Sequence, residues 1–278
     1  MSEDRPLPAT GPAAGSPRSA ATDETPDIWS ALRHTTAARI GLGRAGNAIP
    51  IGEVLKFQQA HAVARDAVHA ALDIAALEAE LAPLPSVTVS SQVSDRATYL
   101  RRPDLGRLLA PEDEDRLKAL AGEPYDIVFV VGDGLSSTAV QRHAAPVIQA
   151  CRRALSDWSI APIVIARQAR VAIADPIGAA LGARLSVILI GERPGLTVSD
   201  SLGLYMTYGP RPGRRDSERN CISNIHTRGG QSYEQAARTL AWLARESLRR
   251  SLSGVDLKDD LPAEALDAPQ ATPHIPER

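Results

Sequence analysis

The chain has 278 residues, 44% of them hydrophobic and 23% charged, with a net charge of −2 and a pI of about 6.3. This suits one large or two modest globular domains. It excludes a basic surface for nucleic acid or anionic membranes, and no apolar run is long enough to span a bilayer.

The N-terminus lacks the charged-then-apolar layout of a secretory signal. Cys151 and Cys221 are the only cysteines. They read as free thiols in a reducing cytoplasm, because two widely separated cysteines make no disulfide framework. The six histidines are scattered without zinc-ligand spacing, so no protein-bound structural metal is expected.

Residues 1–26, rich in Pro, Ala, Ser, Thr and Gly, read as a disordered tail. Ile28–Leu32 reads as a short docking helix capped by Asp27. Thr35–Pro50 is a Gly/Arg loop (Arg39, Gly41, Gly43, Arg44, Gly46) that suits an anion, a partner chain or plain solvent equally. Ile51–Leu81 has helical periodicity, ended by Pro83 and Pro85. His61, Arg65, Asp66 and His69 on it are better read as interface or core residues than as a catalytic cluster, since no nucleophile accompanies them. Val87–Val89 is a possible short strand. Residues 95–102 look helical, Asp104 is a candidate cap for the next turn, and Pro111 opens a helix with acids in its first turn. Residues 27–122 therefore read as a helical N-terminal region.

From residue 123 the pattern alternates. Ile127–Val131, Ile163–Ala166 and Leu185–Ile190 are unbroken apolar runs, the signature of strands buried on both faces. Between them lie a helix over Ser137–Trp158, kinked or broken at Pro146, a short helix or turn over Gln168–Ala174, and a helix begun by Asp175-Pro176. Leu204–Tyr208 is a fourth, more alternating strand. Ser232 caps an amphipathic helix over Tyr233–Leu252, ended by Gly254. The predicted fold class is α/β, with a Rossmann-like, mostly parallel sheet over residues 123–258 and a flexible tail over 259–278.

Strand-end loops of such a sheet converge at one edge. Here they bring Gly132-Asp133-Gly134, Glu192 and Cys221 there. No Ser-His-Asp set, carboxylate pair or Cys-His pair has readable spacing. The edge therefore reads as a binding cleft without its own acid–base equipment. One use is a stand-alone site for a nucleotide or phosphorylated ligand at Gly132–Ser137. The bland alternatives are a simple chain reversal at Gly134, an ion pair between Glu192 and an arginine such as Arg193, and an inert thiol at Cys221.

Several long motifs carry a resemblance. They are Val130-Val131-Gly132-Asp133-Gly134-Leu135-Ser136, Ala166-Arg167-Gln168-Ala169-Arg170-Val171-Ala172, Gly191-Glu192-Arg193-Pro194-Gly195-Leu196, Ser199-Asp200-Ser201-Leu202-Gly203 and Arg219-Asn220-Cys221-Ile222-Ser223-Asn224-Ile225. In the first half, Ala38–Gly46 and Tyr99–Arg107 add to them. In matching order from about Thr35 to Lys258, the chain resembles the small subunit of ethanolamine ammonia-lyase. That resemblance implies an adenosylcobalamin-dependent lyase that turns ethanolamine into acetaldehyde and ammonia by a radical route. It implies a large-subunit partner, a (β/α)8 barrel that binds the substrate, in an assembly of six large and six small chains. It implies a cytoplasmic enzyme packaged in a bacterial microcompartment, with the N-terminal tail a candidate address. The cobalamin contacts it carries over are Val171, Glu192 and Cys221, with no catalytic residue and no cobalt ligand on this chain.

Overall fold

A computed structural model describes residues 29–36 and 38–260. The tail over residues 1–26, the capping role of Asp27 and the acidic end beyond residue 260 lie outside the described residues. The chain divides into two compact units, Met1–Pro50 and Ile51–Arg278. In the first, α1 (Ser30–Thr35) starts without a side-chain cap. The Gly/Arg loop folds back on this helix, with Arg33 Nη1 donating to the Gly41 carbonyl at 2.5 Å. Gly41 has φ +57°, and a Cβ there would collide with the Trp29 side chain at 2.3 Å, so only glycine fits.

The second unit is a three-layer α/β structure. Its helices are α2 (Ile51–His69), α3 (Ile74–Leu81), α4 (Arg96–Arg101), α5 (Pro111–Lys118), α6 (Ser137–Ala154), α7 (Ala174–Leu181) and α8 (Tyr233–Arg250). Its strands are β1 (Ser86–Ser90), β2 (Ile127–Gly132), β3 (Ile163–Arg167), β4 (Leu185–Gly191), β5 (Leu202–Tyr208) and β6 (Arg219–Ile225). They form one sheet in the order β1-β3-β2-β4-β5-β6. The first four are parallel, and β5 and β6 add antiparallel.

The predicted α/β class holds, with two corrections. The sheet is mixed and not plainly Rossmann-like. The connection over residues 192–201 carries no helix, so β5 returns beside β4 as a hairpin partner would. The first half is also not a helical region. Its Ser-Val-Thr-Val-Ser segment is β1, which pairs with β3 at the sheet edge.

Local chemistry explains most elements. Every residue of β2 and β4 is buried, as their unbroken apolar runs require. Ser136 caps α6 by accepting from the Ala139 N–H at 3.2 Å. Ser232 and Gln235 form a capping box on α8. Four expectations differ. The long helix over 51–81 is two helices, because the Asp73 carboxylate accepts from the Ala76 N–H at 3.0 Å and starts α3 afresh. The α6 helix runs through Pro146 without a break, and ends at Ala154, short of Trp158. Asp104 makes no capping bond and pairs with Arg102 at 2.7 Å. The α8 helix ends at Ser251, left-handed at φ 56°, before Gly254 is reached.

One apolar core lies between the sheet and α3, α6 and α8, the other between the sheet and α5 and α7. Full burial of each Val, Leu or Ile contributes about 1.5–3 kcal/mol relative to exposure. No described helix is long and apolar enough to cross a membrane.

Candidate functional site

The candidate site lies on the α7 side of the sheet, at the carboxyl end of β4. There α6 begins directly against β4. A Cβ on Gly191 would lie 2.1 Å from the Ser136 carbonyl oxygen, and one on Gly134 2.4 Å from the Gly191 carbonyl oxygen. The Gly132–Ser137 turn is thus used for close packing of two strand ends.

Glu192 follows at once, half-buried. Its N–H donates to the Ser201 carbonyl at 2.9 Å, and its Oε2 accepts from the Ser201 hydroxyl at 2.5 Å. Glu192 forms no ion pair with Arg193 or any other described residue, and its Oε1 accepts no hydrogen bond from them. Gly203 on β5 leaves room for this carboxylate. A Cβ there would sit 2.9 Å from Oε1 and 3.3 Å from the Tyr205 ring.

Tyr205 and Cys221 are register partners across β5 and β6. Burial raises the Tyr205 phenol above its ordinary pKa, and the Cys221 and Glu192 charges add to that. Burial also raises the Cys221 thiol, with the neighbouring Tyr205 phenol opposing it and Glu192 adding to it. The thiol is therefore protonated at neutral pH and is no ready nucleophile. Cys221, Ser223 and Asn224 are exposed, so this part of the sheet is bare where α7 stops. Val171 opens the 3-10 turn after β3. It and Tyr205 pack, partly buried, on the same apolar cluster. The structure therefore gathers Glu192 and Cys221 around Gly203 and Tyr205, while Val171 lies after β3, with β2 and β4 between its strand and β5.

Two ion-pair systems hold this surface, and neither was legible in the sequence. Asp175, expected to be a helix cap, reaches from α7 to β6. Its two oxygens accept from Arg219 at 2.7 and 2.8 Å, and both side chains are only 2% exposed. Burial would lower the Arg219 pKa, but the bonds to Asp175 outweigh it and raise it. Asp200 anchors the loop between β4 and β5. It accepts from Arg142 on α6 at 2.6 Å and from Arg228. Burial pushes the Asp200 carboxyl up, yet the two arginines more than reverse this and hold it below the ordinary range. His143 Nε2 lies 3.9 Å from Asp200, while His143 Nδ1 pairs with the Tyr233 hydroxyl at 2.8 Å. Burial lowers the His143 pKa, with Asp200 opposing. Asp200 adjoins Ser201, so the clamp fixes the residue that holds Glu192. The segment Ser199–Gly203 was a recognisable motif, but its role depends on residues far away in the chain.

His61 and His69, read as interface or core histidines, are exposed on α2. Arg65 and Asp66 make only a surface pair at 3.8 Å. No group of three or more His, Cys, Asp or Glu among the described residues is placed to hold a metal ion.

The family model for "Ethanolamine ammonia-lyase light chain (EutC)" matches residues 26–258. Among curated proteins, the ethanolamine ammonia-lyase small subunit of Rhodopseudomonas palustris (strain BisA53) is 52% identical over 253 residues, covering 89% of this chain and 97% of that protein. The protein of the same name from Azotobacter vinelandii is 51% identical over 265 residues, covering 93% and 97%. The one from Rhodococcus erythropolis is 48% identical over 250 residues, covering 88% and 95%.

Proposed function

This chain belongs to the ethanolamine ammonia-lyase light chain family, and on that premise we propose that it closes the adenosylcobalamin site of a lyase converting ethanolamine to acetaldehyde and ammonia. The large subunit holds the substrate, and residues 123–258 of this chain form the cofactor-contacting part. The chemistry the cofactor supplies is cobalt–carbon homolysis, which starts the radical rearrangement.

The observation that carries this reading is Glu192. Its carboxylate is fixed through Oε2 and keeps Oε1 as an acceptor. It stands beside a partly bare sheet face with the Tyr205 ring close by across Gly203, and Val171, after β3, lies on the same side of the sheet. A corrin is a broad apolar ring rimmed by amide groups. Such a ring needs apolar surface beneath it and fixed acceptors at its rim, so the residues present fit it. Cys221 offers a neutral, polarizable contact on the same face. The roles of this chain are binding, orientation and exclusion of water.

The Gly132–Ser137 turn supports the rival reading, a stand-alone phosphate site, less well, because its glycine is packed against Gly191. Assembly with the large subunit in equal numbers and packaging in a microcompartment belong to the same proposal. The test is reconstitution. The chain alone with adenosylcobalamin is expected to show no turnover of ethanolamine, and the two chains together to copurify and turn it over. Turnover by the single chain would contradict the proposal.

A further inference from the structure

We propose that the cleft between the carboxyl ends of β2 and β3 is a second binding site, for a small molecule with an apolar body and one oxyanionic group, phosphate or carboxylate. It does not depend on the cobalamin reading.

The topology makes the cleft. β2 and β3 are parallel neighbours. The chain leaves β2 into α6, which packs on the α8 side of the sheet, and leaves β3 toward α7, which packs on the other side. Loops that part in this way from adjacent strands open a crevice at the strand ends. Asp133 ties its two sides together, accepting from the N–H groups of Gln168 and Ala169 at 2.9 Å each. The link between α2 and α3, residues 70–73, and the start of α4 wall the crevice, leaving a cleft of about 620 Å3. That volume suits a small organic ligand.

The charges along the wall are unequally spent. Asp133 is occupied by three backbone N–H groups, with Arg96 at 3.8 Å. Asp73 is occupied in capping α3. The basic side chains are not so matched. Arg167, at the end of β3, is exposed and makes no side-chain hydrogen bond or ion pair among the described residues. His69 is exposed at the end of α2. Arg96 is held firmly, by a bond from Nε to the Val68 carbonyl at 2.7 Å and by stacking 4.5 Å over the Tyr99 ring. Its Nη2 is nevertheless buried without a hydrogen-bond partner. Its Nη1 donates to Gln168 Oε1 at 3.4 Å, which leaves Arg167 as the arginine of this wall with no partner of its own among the described residues. Guanidinium groups at fixed positions favour planar or tetrahedral oxyanions. Leu72, Ile74 and Val93 line the remainder and fit an apolar body.

The test uses the full chain without cobalamin, titrated calorimetrically at constant ionic strength with phenyl phosphate, benzoate and uncharged benzyl alcohol. Saturable binding of phenyl phosphate, benzoate or both at about 1 mM or tighter is expected, and none of benzyl alcohol. Binding of one anion only identifies which oxyanion the cleft prefers. Arg167→Ala, at an exposed position, should weaken binding at least about fivefold, and Arg167→Lys should restore part of it. Glu192→Ala should leave it unchanged. No saturable binding of either anion up to about 10 mM would overturn the proposal. So would binding that Arg167→Ala leaves intact, or that Glu192→Ala reduces equally.

Discussion

The two faces of the sheet are covered differently. On one, α3, α6 and α8 bury β2, β4, β5 and β6 under a continuous apolar layer. On the other, α5 and α7 cover the parallel strands and leave Cys221 and Ser223 of β6 in the open. The covered face is held mainly by packing, with the His143–Tyr233 bond and the Arg153–Glu234 pair joining α6 to α8. The open face is held by charges, with Asp175–Arg219 pinning α7 to β6 and Asp200 pinning the Glu192 loop to α6. A surface that must stay bare for a ligand lacks overlying side chains to define it. Directional bonds from its edges do so instead, and they keep Glu192, Tyr205 and Cys221 in place.

The buried Asp175–Arg219 pair gives the largest expected effect. Removing one partner strands a charge in a dry site, so Asp175→Ala or Arg219→Ala should cost about 3–5 kcal/mol in urea unfolding. The double variant Asp175→Leu/Arg219→Met should recover most of that loss, because it removes both charges together. An additive loss in the double variant would mean that packing, not pairing, holds this face.

Gly203→Ala should act on function more than on stability. The added Cβ displaces the Glu192 carboxylate from the position Ser201 gives it. Adenosylcobalamin affinity of the assembled enzyme should fall about tenfold. Apo stability should stay within about 1 kcal/mol, since alanine is no worse than glycine in an ordinary strand. Unchanged affinity would show that the carboxylate has room to move.

The smallest effect concerns pH. The folded pKa of His143 lies below its unfolded value because the ring is buried, so protonation favours unfolding. Its contribution is complete above the unfolded value of about 6.5 and is lost as pH falls below it. Asp200 also has a depressed folded pKa. Its contribution is present above the ordinary carboxylate pKa and is lost as pH falls through the folded value. Unfolding free energy should therefore decline in two stages on acidification, the first absent in His143→Gln. A variant that keeps the first stage would assign it to another group.

Much of the fold was legible because it rests on local pattern. The unbroken runs of β2, β3 and β4 and the cap at Ser232 need only neighbouring residues. Strand β6 was not legible, because Arg219 and Asn220 interrupt the apolar pattern, and their main partners, Asp175 and the 254–257 turn, are distant in the chain. The antiparallel return of β5 was equally hidden, since nothing in its own residues sets direction. Asp175-Pro176 reads as a helix start, and only the fold reveals that its carboxylate is committed to Arg219. Glu192 and Cys221 were candidates from strand-end position and from family resemblance. Gly203, Ser201 and Tyr205 were not, because their meaning is a distance to Glu192 or Cys221 across strands.

The account turns on whether the Glu192 carboxylate is held for the cofactor or for the fold. Titrating the assembled two-subunit enzyme with adenosylcobalamin, for the parent chain and for Glu192→Ala, measures this directly. Loss of a hydrogen bond to a charged acceptor should weaken binding by about 1.5–3 kcal/mol, roughly ten- to a hundredfold. Glu192→Gln should fall between, and apo thermal stability should be nearly unchanged. A dissociation constant within about twofold of the parent, or a loss of several kcal/mol in apo stability, would contradict it.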